Sequence, residues 1–302
     1  MPAARPNALA IALLGLLAPG AVAQVPAAPP GVPDATAPHR GPPSAEVPAL
    51  SEVEFIPLPW RVQVEPSLWF TAPGGYIQLP GGPGRVRVDE FNLDSPHASP
   101  YVEAHVRRGD WRLAFSAMTY SAENRSSTQA AAGSIGGIPF AAGDRIRASL
   151  DFTSFHMEMA YRMPFSGRFL GNPEPDLLTI WETTAGVRFH LLDVDLELPG
   201  GHAGGREFVG APYVGVRLSM EVIRSFTIDG TVNIALYSNG NDVTFSGSDI
   251  VIGMSYRPVK NFGVQVGYRQ IAADLSSGTG LGELRWEEGA FAGVFAGVMI
   301  RF

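Results

Sequence analysis

From Trp60 to the end of the chain, hydrophobic and polar residues alternate with a period of two, as in β-strands whose two faces meet different environments. In residues 262–268, for example, Phe, Val, Val and Tyr occupy one face, and Gly, Gln and Gly occupy the other. Ten alternating segments predict an all-β chain, and they lie at residues 60–71, 99–107, 111–122, 145–162, 178–198, 208–222, 226–238, 246–257, 262–274 and 285–302. Residues 85–93 can add part of a further hairpin, so eight or twelve strands remain alternatives to ten.

The alternation shifts by one residue in two of these segments, between Phe152 and Phe155 and between Leu191 and Leu192. A β-bulge places one extra residue in a strand and exchanges its two faces from that point onward. We therefore predict a bulge at each of these two positions.

The connections between the segments alternate in length. Short turns are predicted at residues 108–110, 223–225 and 258–261, whereas residues 163–177 form a long connection where a short one is expected. Two sets of loops at opposite ends predict an antiparallel up-and-down transmembrane β-barrel of about ten strands. The longer polar or glycine-rich loops are predicted at residues 72–98, 123–144, 199–207, 239–245 and 275–284.

Alternation alone does not decide which face of the barrel points outward, and a soluble secreted barrel would turn its apolar face inward. The polar face is rich in Arg but lacks Lys, whereas exposed soluble surfaces use both. Aromatic residues also recur at the short-turn end, as in the interfacial girdle of membrane barrels. These features favour an apolar face turned toward lipid, and the aromatic positions are Trp60, Trp111, Tyr161, Trp181, Phe226, Tyr256, Phe262 and Phe302.

The composition of the 302 residues agrees with a chain of this kind. Charged residues make up 17%, below the roughly 25% of soluble domains, and 21 of the 22 basic residues are Arg. No apolar run reaches the about 20 residues that a transmembrane helix needs. The absence of cysteine excludes disulfides and thiolate zinc sites. The net charge of −7 argues against a nucleic-acid partner.

The first 59 residues differ from the rest. Residues 1–23 are predicted to be a signal peptide, because Arg5 precedes the apolar stretch 8–18 and Ala21-Val22-Ala23 forms a small-residue cleavage site. Residues 24–59 contain ten prolines and few large apolar side chains, which predicts a disordered periplasmic linker. Residues 60–302 form the predicted barrel.

The chain ends in alternating apolar positions, in the segment Val294–Phe302. This ending resembles the terminal strand of bacterial outer-membrane β-barrels, in which a C-terminal aromatic residue and the apolar residues before it form a sorting signal. The resemblance assigns that signal to Val298, Ile300 and Phe302. It implies location in the bacterial outer membrane, contact with outer-membrane lipid and recognition by the barrel-assembly machinery during biogenesis. It identifies no subfamily, and it leaves the oligomeric state open.

If the polar face points inward, the lumen contains many charged residues of both signs. Arg suits such an interior, because its planar guanidinium binds carboxylates in a bidentate manner and keeps its proton. We predict an ion-pair network that fills the lumen, with an ion pathway as the alternative; an interior of ten strands is narrow for an open pore. The basic members are Arg61, Arg107, Arg112, Arg147, Arg162, Arg188, Arg217, Arg257, Arg269 and Arg301, and the acidic members are Glu65, Glu103, Asp151, Glu158, Glu182, Glu221, Asp229 and Asp249.

Three histidines share the polar face, at positions 105, 156 and 190. A metal or proton-relay site needs its ligands at one height in the barrel, whereas His105 lies near the short-turn end of its strand and His190 toward the opposite end. We therefore predict neither a metal site nor a cofactor.

Two classes of outer-membrane enzyme share features with this sequence. Lipid A deacylases carry a His-x-Ser-Asn motif, whereas here Leu236 stands at the histidine position before Ser238 and Asn239, so the serine lacks its base. Outer-membrane proteases of ten strands place acids and a histidine at the extracellular rim, near the predicted positions of Asp193, Asp195, Glu197 and His202.

The sequence thus favours a non-enzymatic barrel, either a structural or surface-interaction protein or a very narrow channel. An outer-membrane hydrolase that acts at the extracellular rim is the first alternative, and a soluble ligand-binding barrel is the second.

Overall fold

The computed structural model describes residues 61–302 except 165–166, 170–176, 224 and 239–242. The predicted signal peptide, the predicted linker and Trp60 lie outside the described residues. Among the described residues, no helix is long and apolar enough to cross a membrane. Their strands are β1 (Val62–Gln78), β2 (Arg85–Arg87), β3 (His97–Arg108), β4 (Trp111–Thr128), β5 (Gly133–Ile135), β6 (Ile138–Phe140), β7 (Arg145–Arg162), β8 (Gly167–Phe169), β9 (Leu177–Leu198), β10 (Gly201–Ile223), β11 (Phe226–Ser238), β12 (Val243–Val259), β13 (Phe262–Ser277) and β14 (Leu284–Arg301).

Ten of these strands form a closed antiparallel barrel, in the order β1, β3, β4, β7, β9, β10, β11, β12, β13 and β14. The first and last strands pair along most of their length, so that Leu68 lies opposite Ala296 and Phe70 opposite Val294. The predicted up-and-down barrel of ten strands is therefore confirmed. Outside the barrel wall, β2 pairs with β1, β8 pairs with β9, and β5 and β6 form a separate hairpin. Two short 3-10 helices, Val88–Phe91 and Gly280–Gly282, lie in loops at the long-loop end.

Several strands extend further toward the long-loop end than the sequence pattern indicated. Strand β1 continues to Gln78, and β4 continues to Thr128. The loop predicted at residues 199–207 is wrong, because β9 and β10 have 22 and 23 residues and only two residues separate them. About 9–11 residues suffice for a tilted strand to cross a bilayer. The β9–β10 hairpin therefore extends well beyond the length that a membrane requires.

The outer surface has two zones. The zone nearer the short turns is apolar, and we call it the outer apolar belt. Beyond it toward the long loops, the outward positions of β7, β9 and β10 carry polar and charged residues instead. The exposed belt residues are Leu68, Phe70, Val102, Val106, Trp111, Leu113, Phe115, Phe155, Met157, Met159, Tyr161, Phe189, Phe208, Val214, Val216, Leu236, Ile252, Met254, Tyr256, Phe262, Val264, Val266, Tyr268, Val294 and Phe302.

The bulges predicted in β7 and β9 do not occur. Every even-numbered residue of β7 from Ile146 to Arg162 is buried inside the barrel, and β7 pairs with β9 in continuous register. What changes near Phe152 is the polarity of the inward residues and not the face that they occupy. Two register shifts that do occur lie elsewhere, between Gly74 and Tyr76 in β1 and between Ala273 and Leu275 in β13.

The polarity of both faces inverts at the same height. Within the belt the outside is apolar and the inside polar, whereas beyond the belt the outside is polar and the inside apolar. In β9, for example, Glu182 and Arg188 are buried in the lower half, and Leu192 and Val194 are buried in the upper half. An exchange of this kind is expected of a strand that passes from an apolar medium into water, because its outer face must then be hydrated.

Candidate functional site

The upper half of the barrel interior is filled with large apolar side chains, which we call the apolar plug. Three of its rings pack around Phe291, whose ring centroid lies 4.5 Å from that of Phe152, 5.1 Å from Tyr120 and 5.4 Å from Trp286. All four residues are at most 2% exposed. Barrel-wall members of the plug are Tyr120, Phe152, Leu192, Val194, Leu196, Phe245, Ile271, Leu275, Trp286 and Phe291.

The loops at this end contribute to the plug. The connection from β1 to β3 buries Leu79, Phe91 and Leu93, and the β5–β6 hairpin buries Ile135. The Tyr120 hydroxyl donates to the carbonyl oxygens of Leu93 and Ser95 at 3.2 and 3.3 Å. These loops therefore pack onto the barrel as a part of its core.

The lower half of the interior is charged, and we call it the charged layer. It consists of the inward-facing residues Glu65, Glu103, His105, Arg107, Arg112, His156, Glu158, Arg162, Glu182, Arg188, Arg217, Glu221, Asp229, Asp249, Arg257, Arg269 and Arg301.

Arg112 is the centre of one group in this layer. Its guanidinium donates to Glu158 at 2.8 Å and to Glu182 at 2.9 Å, and Glu182 also accepts from Arg107. A third contact, of 3.0 Å, joins Nη1 of Arg112 to Nδ1 of His105. Arg112, Glu158 and Glu182 are nearly inaccessible to solvent, so removal of one partner leaves a charge that water cannot stabilise.

Asp249 is the centre of a second group. It accepts from Arg188 at 2.6 Å and from Arg269 at 3.0 and 2.8 Å. The Arg269 guanidinium also lies 4.5 Å from the ring centroid of Tyr101, a cation–π arrangement. Two cations thus share one carboxylate, and an aromatic face stabilises one of them.

Further contacts lie around these two groups. Arg217 contacts Asp229 at 3.5 Å, and Arg257 donates to Glu221 at 3.0 Å. The structure also contains contacts that the sequence could not specify, such as the hydrogen bond from Arg301 to Gln63. Arg162 is buried beside them at the short-turn end of β7.

Three residues of the predicted network lie outside the lumen. Arg61 is exposed where the chain enters β1. Arg147 and Asp151 lie on the outer face of β7, where Arg147 pairs with Glu197 in an exposed ion pair of 3.0 Å. Arg147 and Asp151 were assigned to the lumen because a bulge was wrongly predicted in β7. A bulge that does not occur exchanges the inward and outward positions of every residue on one side of it. Their exposure places them in the polar outer zone above the belt.

The three inward histidines have separate surroundings. His156 contacts Ser116 through Nδ1 at 3.1 Å and Tyr213 through Nε2, and Tyr213 donates to Glu158. His190 stacks at 5.2 Å on Phe152 and packs at 5.3 Å against Phe245, at the border between charged layer and plug. His105 lies instead between Glu65 and Glu103. The pattern along the chain does not reveal this last cluster, because the two carboxylates meet through pairing between strands.

A cavity of about 80 Å³ lies within the charged layer, which is room for several water molecules, since one needs roughly 10–15 Å³. The acids in its lining outnumber the two arginines. Polar and charged lining residues include Glu65, Glu103, Glu158, Arg217, Asp229, Asn233, Asp249, Ser255, Gln265 and Arg269.

The C-terminal strand completes the barrel wall. Val298, Ile300 and Phe302 occupy its outward positions, and Phe302 is 70% exposed. The backbone of Phe302 donates to the carbonyl of Val62 at 2.9 Å and accepts from Arg61 and Val62. The residues assigned to the sorting signal therefore lie at the seam that closes the barrel.

No protein-family model matches the chain, and no curated protein matches it in sequence. Among solved structures, it is similar to the outer membrane protease OmpT from Escherichia coli, with 13% identity, a TM-score of 0.51 and coverage of 84% of this chain and 100% of that one. Weaker similarities are to the translocator domain of the autotransporter NalP from Neisseria meningitidis (12% identity, TM-score 0.41, 80% of this chain and 89% of that one) and to Neisserial surface protein A (14% identity, TM-score 0.34, 80% and 97%).

The chain has the fold of a bacterial outer-membrane β-barrel. At 13% identity the similarity to OmpT shows the fold alone.

The two sets of candidate catalytic residues in this outer-membrane barrel lie on its outer surface or at a strand end. Asp193, Asp195, Glu197 and His202 lie on outward positions of the β9–β10 hairpin, and His202 contacts Asp195 while both side chains remain more than half exposed. Leu236 points outward and is 70% exposed, and Ser238 ends β11. Asn239 lies outside the described residues. The acids and His202 thus contact solvent on the outside of the hairpin, away from the barrel interior.

Proposed function

We propose that this protein is an integral barrel of the bacterial outer membrane that does not conduct and is not an enzyme, and that serves as a structural or surface-interaction protein. The observation that carries the proposal is the apolar plug above the charged layer. The plug is buried and contains large rings in mutual contact. An ion that crosses it must give up its hydration, and apolar side chains offer no replacement.

The plug also bears on the choice between the two roles predicted for the lumen, a stabilising ion-pair network and an ion pathway. A charged layer alone leaves an ion pathway open as an interpretation, because both signs of charge line it. With an apolar layer in series, polar lining in the lower half is not sufficient for conduction. We therefore propose that the ion pairs stabilise the barrel, and that the very narrow channel is the less favoured alternative.

The upper extension supplies the surface for interaction. The β9–β10 hairpin and its neighbour β7 present exposed charged residues of both signs on the outside, among them Arg147, Asp193, Glu197 and Arg206. A filled core beneath them holds this surface rigid. We propose that this charged outer zone faces the extracellular side.

A hydrolase at the extracellular rim is supported less well by the same geometry. General acid–base chemistry needs groups held around one bound substrate. His202 and Asp195 form a contact on an exposed outer surface, where bulk water surrounds both side chains. We propose that this contact is a surface ion pair.

The apolar belt supports contact with outer-membrane lipid, and the outward positions of Val298, Ile300 and Phe302 support recognition by the barrel-assembly machinery. The N-terminal linker then lies in the periplasm, since the chain enters the barrel at the short-turn end. Heat-modifiable migration in detergent gels and recovery in the sarkosyl-resistant membrane fraction test this placement. Recovery in the soluble periplasmic fraction contradicts it.

Planar-bilayer recording tests the closed lumen. The unmodified barrel is expected to give no steady openings, and Arg217→Ala is expected to give none either, because the plug lies above the charged layer. The double substitution Phe152→Ala and Phe291→Ala removes two stacked rings and is expected to produce steady or flickering openings. Leu236→Ala, on the lipid-facing side, is the control. Steady openings of the unmodified barrel that grow in Arg217→Ala would overturn the proposal.

A further inference from the structure

Two inward glutamates face each other across the first strand pair of the barrel. Glu65 on β1 lies directly opposite Glu103 on β3, and His105 lies opposite Gln63 in the next inward position. Like charges in directly opposite positions of a sheet repel each other. The arrangement therefore needs a positive group between or beside the two carboxylates.

These two carboxylates differ from the other acids of the charged layer in their partners. Glu158, Glu182, Glu221, Asp229 and Asp249 each contact an arginine within 3.5 Å. Within the described residues, by contrast, the ion-pair contacts of Glu65 and Glu103 are to His105, at 3.2 and 3.4 Å. Their other side-chain hydrogen bonds come from neutral donors, since Gln63 donates to Glu65 and the Tyr101 hydroxyl donates to Glu103.

The hydrogen bonds of His105 show that the ring does not supply the missing charge. Nη1 of Arg112 lies 3.0 Å from Nδ1 of His105, and a guanidinium can only donate. Nδ1 therefore accepts, and the ring proton lies on Nε2, which faces both carboxylates. A ring in this state is uncharged, and its Nε2 carries a proton where a metal ligand would need a free electron pair. Arg217 lines the same cavity, and its positive charge acts on both carboxylates. It also contacts Asp229 at 3.5 Å, so three carboxylates share one guanidinium and the pair keeps part of its negative charge.

The cavity beside the pair has unsatisfied donors. Glu65 and Glu103 line it together with Trp69 and Ser255. Nε1 of Trp69 and Oγ of Ser255 have no hydrogen-bond partner among the described residues, and these side chains are only 1% and 3% exposed. Buried polar groups of this kind normally bond to protein or ordered water. They indicate that the cavity contains bound water or another ligand.

We propose that Glu65 and Glu103 bind one hydrated divalent cation of the Mg²⁺ class. Such an ion prefers oxygen ligands, is held by one or two carboxylates and keeps several of its waters. The cavity holds those waters, and the cation neutralises the facing carboxylates. His105 acts as a positioning residue, because its Nε2 N–H faces both carboxylates, at 3.2 and 3.4 Å. Since the plug closes the upper half, the ion enters from the short-turn side or during folding.

Manganese is the probe, because Mn²⁺ replaces Mg²⁺ at oxygen sites and is paramagnetic. The full barrel is stripped with EDTA, refolded into detergent micelles with Mn²⁺ present, desalted and measured by electron paramagnetic resonance. One Mn²⁺ per barrel is expected, displaceable by Mg²⁺ during refolding. Glu65→Gln and Glu103→Gln are each expected to weaken binding at least tenfold. The control Glu221→Gln removes a carboxylate of the same layer outside the cavity and is expected to leave binding within twofold.

The histidine separates this site from a transition-metal site. His105→Gln keeps an amide donor, so we expect Mn²⁺ affinity within about tenfold of the unmodified barrel. Abolished binding in His105→Gln, together with a preference for Zn²⁺ over Mn²⁺, would show that the imidazole is a ligand and overturn the assignment. An unmodified barrel that retains no Mn²⁺, or binding that survives both glutamate substitutions, overturns the site itself. Mn²⁺ retention by the unmodified barrel tests the site even if a variant fails to fold.

Discussion

Replacement of Arg112 by methionine tests whether the charged layer stabilises the barrel. Arg112 is 2% exposed and donates to both Glu158 and Glu182. Glu182 keeps Arg107 as a partner, whereas Glu158 loses its arginine and keeps the Tyr213 hydroxyl at 3.1 Å and the His156 ring at 3.5 Å. The substitution therefore leaves one buried carboxylate without a countercharge.

The expected loss of stability follows from the one buried carboxylate that loses its arginine. Removal of one partner of a buried ion pair costs about 3–5 kcal/mol, and the surviving hydrogen bond from Tyr213 places the expected loss near the lower end. With a urea dependence of roughly 1–3 kcal/mol per molar, the unfolding midpoint falls by about 1 M or more. Arg147→Met is the control, because the exposed pair with Glu197 contributes at most about 1 kcal/mol.

Urea titration of the barrel in lipid vesicles, followed by tryptophan fluorescence and by heat-modifiable migration, measures both shifts. Glu158→Gln added to Arg112→Met removes the orphaned charge and is expected to recover part of the loss, with a coupling energy of about 0.5–3 kcal/mol. A midpoint shift in Arg112→Met no larger than that in Arg147→Met, or further destabilisation of the Arg112→Met barrel by Glu158→Gln, would show that the buried ion pairs do not stabilise the barrel.

Two further predictions concern the plug and the seam. Phe291→Ala, at a fully buried position, is expected to cost about 3–5 kcal/mol in the same titration; a loss no larger than that of the lipid-facing Val294→Ala would contradict a packed plug. Deletion of Phe302 removes the backbone hydrogen bonds to Arg61 and Val62 and is expected to lower the yield of heat-modifiable barrel in membranes, and an unchanged yield would count against its role in assembly.

The fold was largely predictable because strand alternation is a local property. Each strand of the barrel carries its own period-two pattern, and short turns such as Arg108-Gly109-Asp110 punctuate it. The ends of the strands were less predictable at the long-loop side. Residues 201–207 contain three glycines and few large apolar residues, so they carry no strand signal of their own, and they form a strand because β9 pairs with them along its length.

The interior was predictable only at the height of the outer apolar belt. There, inward residues such as Arg112 and Glu158 stand out as polar positions between apolar ones. Above the belt the inward residues are apolar, and Arg147 and Asp151 become the outward ones. A bulge that turns a strand over and a change in the medium outside the barrel produce the same one-residue shift in the sequence pattern. Because the shift in β7 was interpreted as a bulge, Arg147 and Asp151 were assigned to the lumen.

Local alternation specified most of the strands, the outward apolar face of the belt and the C-terminal strand that closes the barrel, because each depends on neighbours within a few residues. Tertiary structure alone decided the height at which polarity inverts, the plug formed by residues from most of the strands, and the meeting of Glu65 with Glu103. These features depend on register between strands and on where lipid gives way to water outside the barrel. Neither quantity is contained in the alternation of one strand.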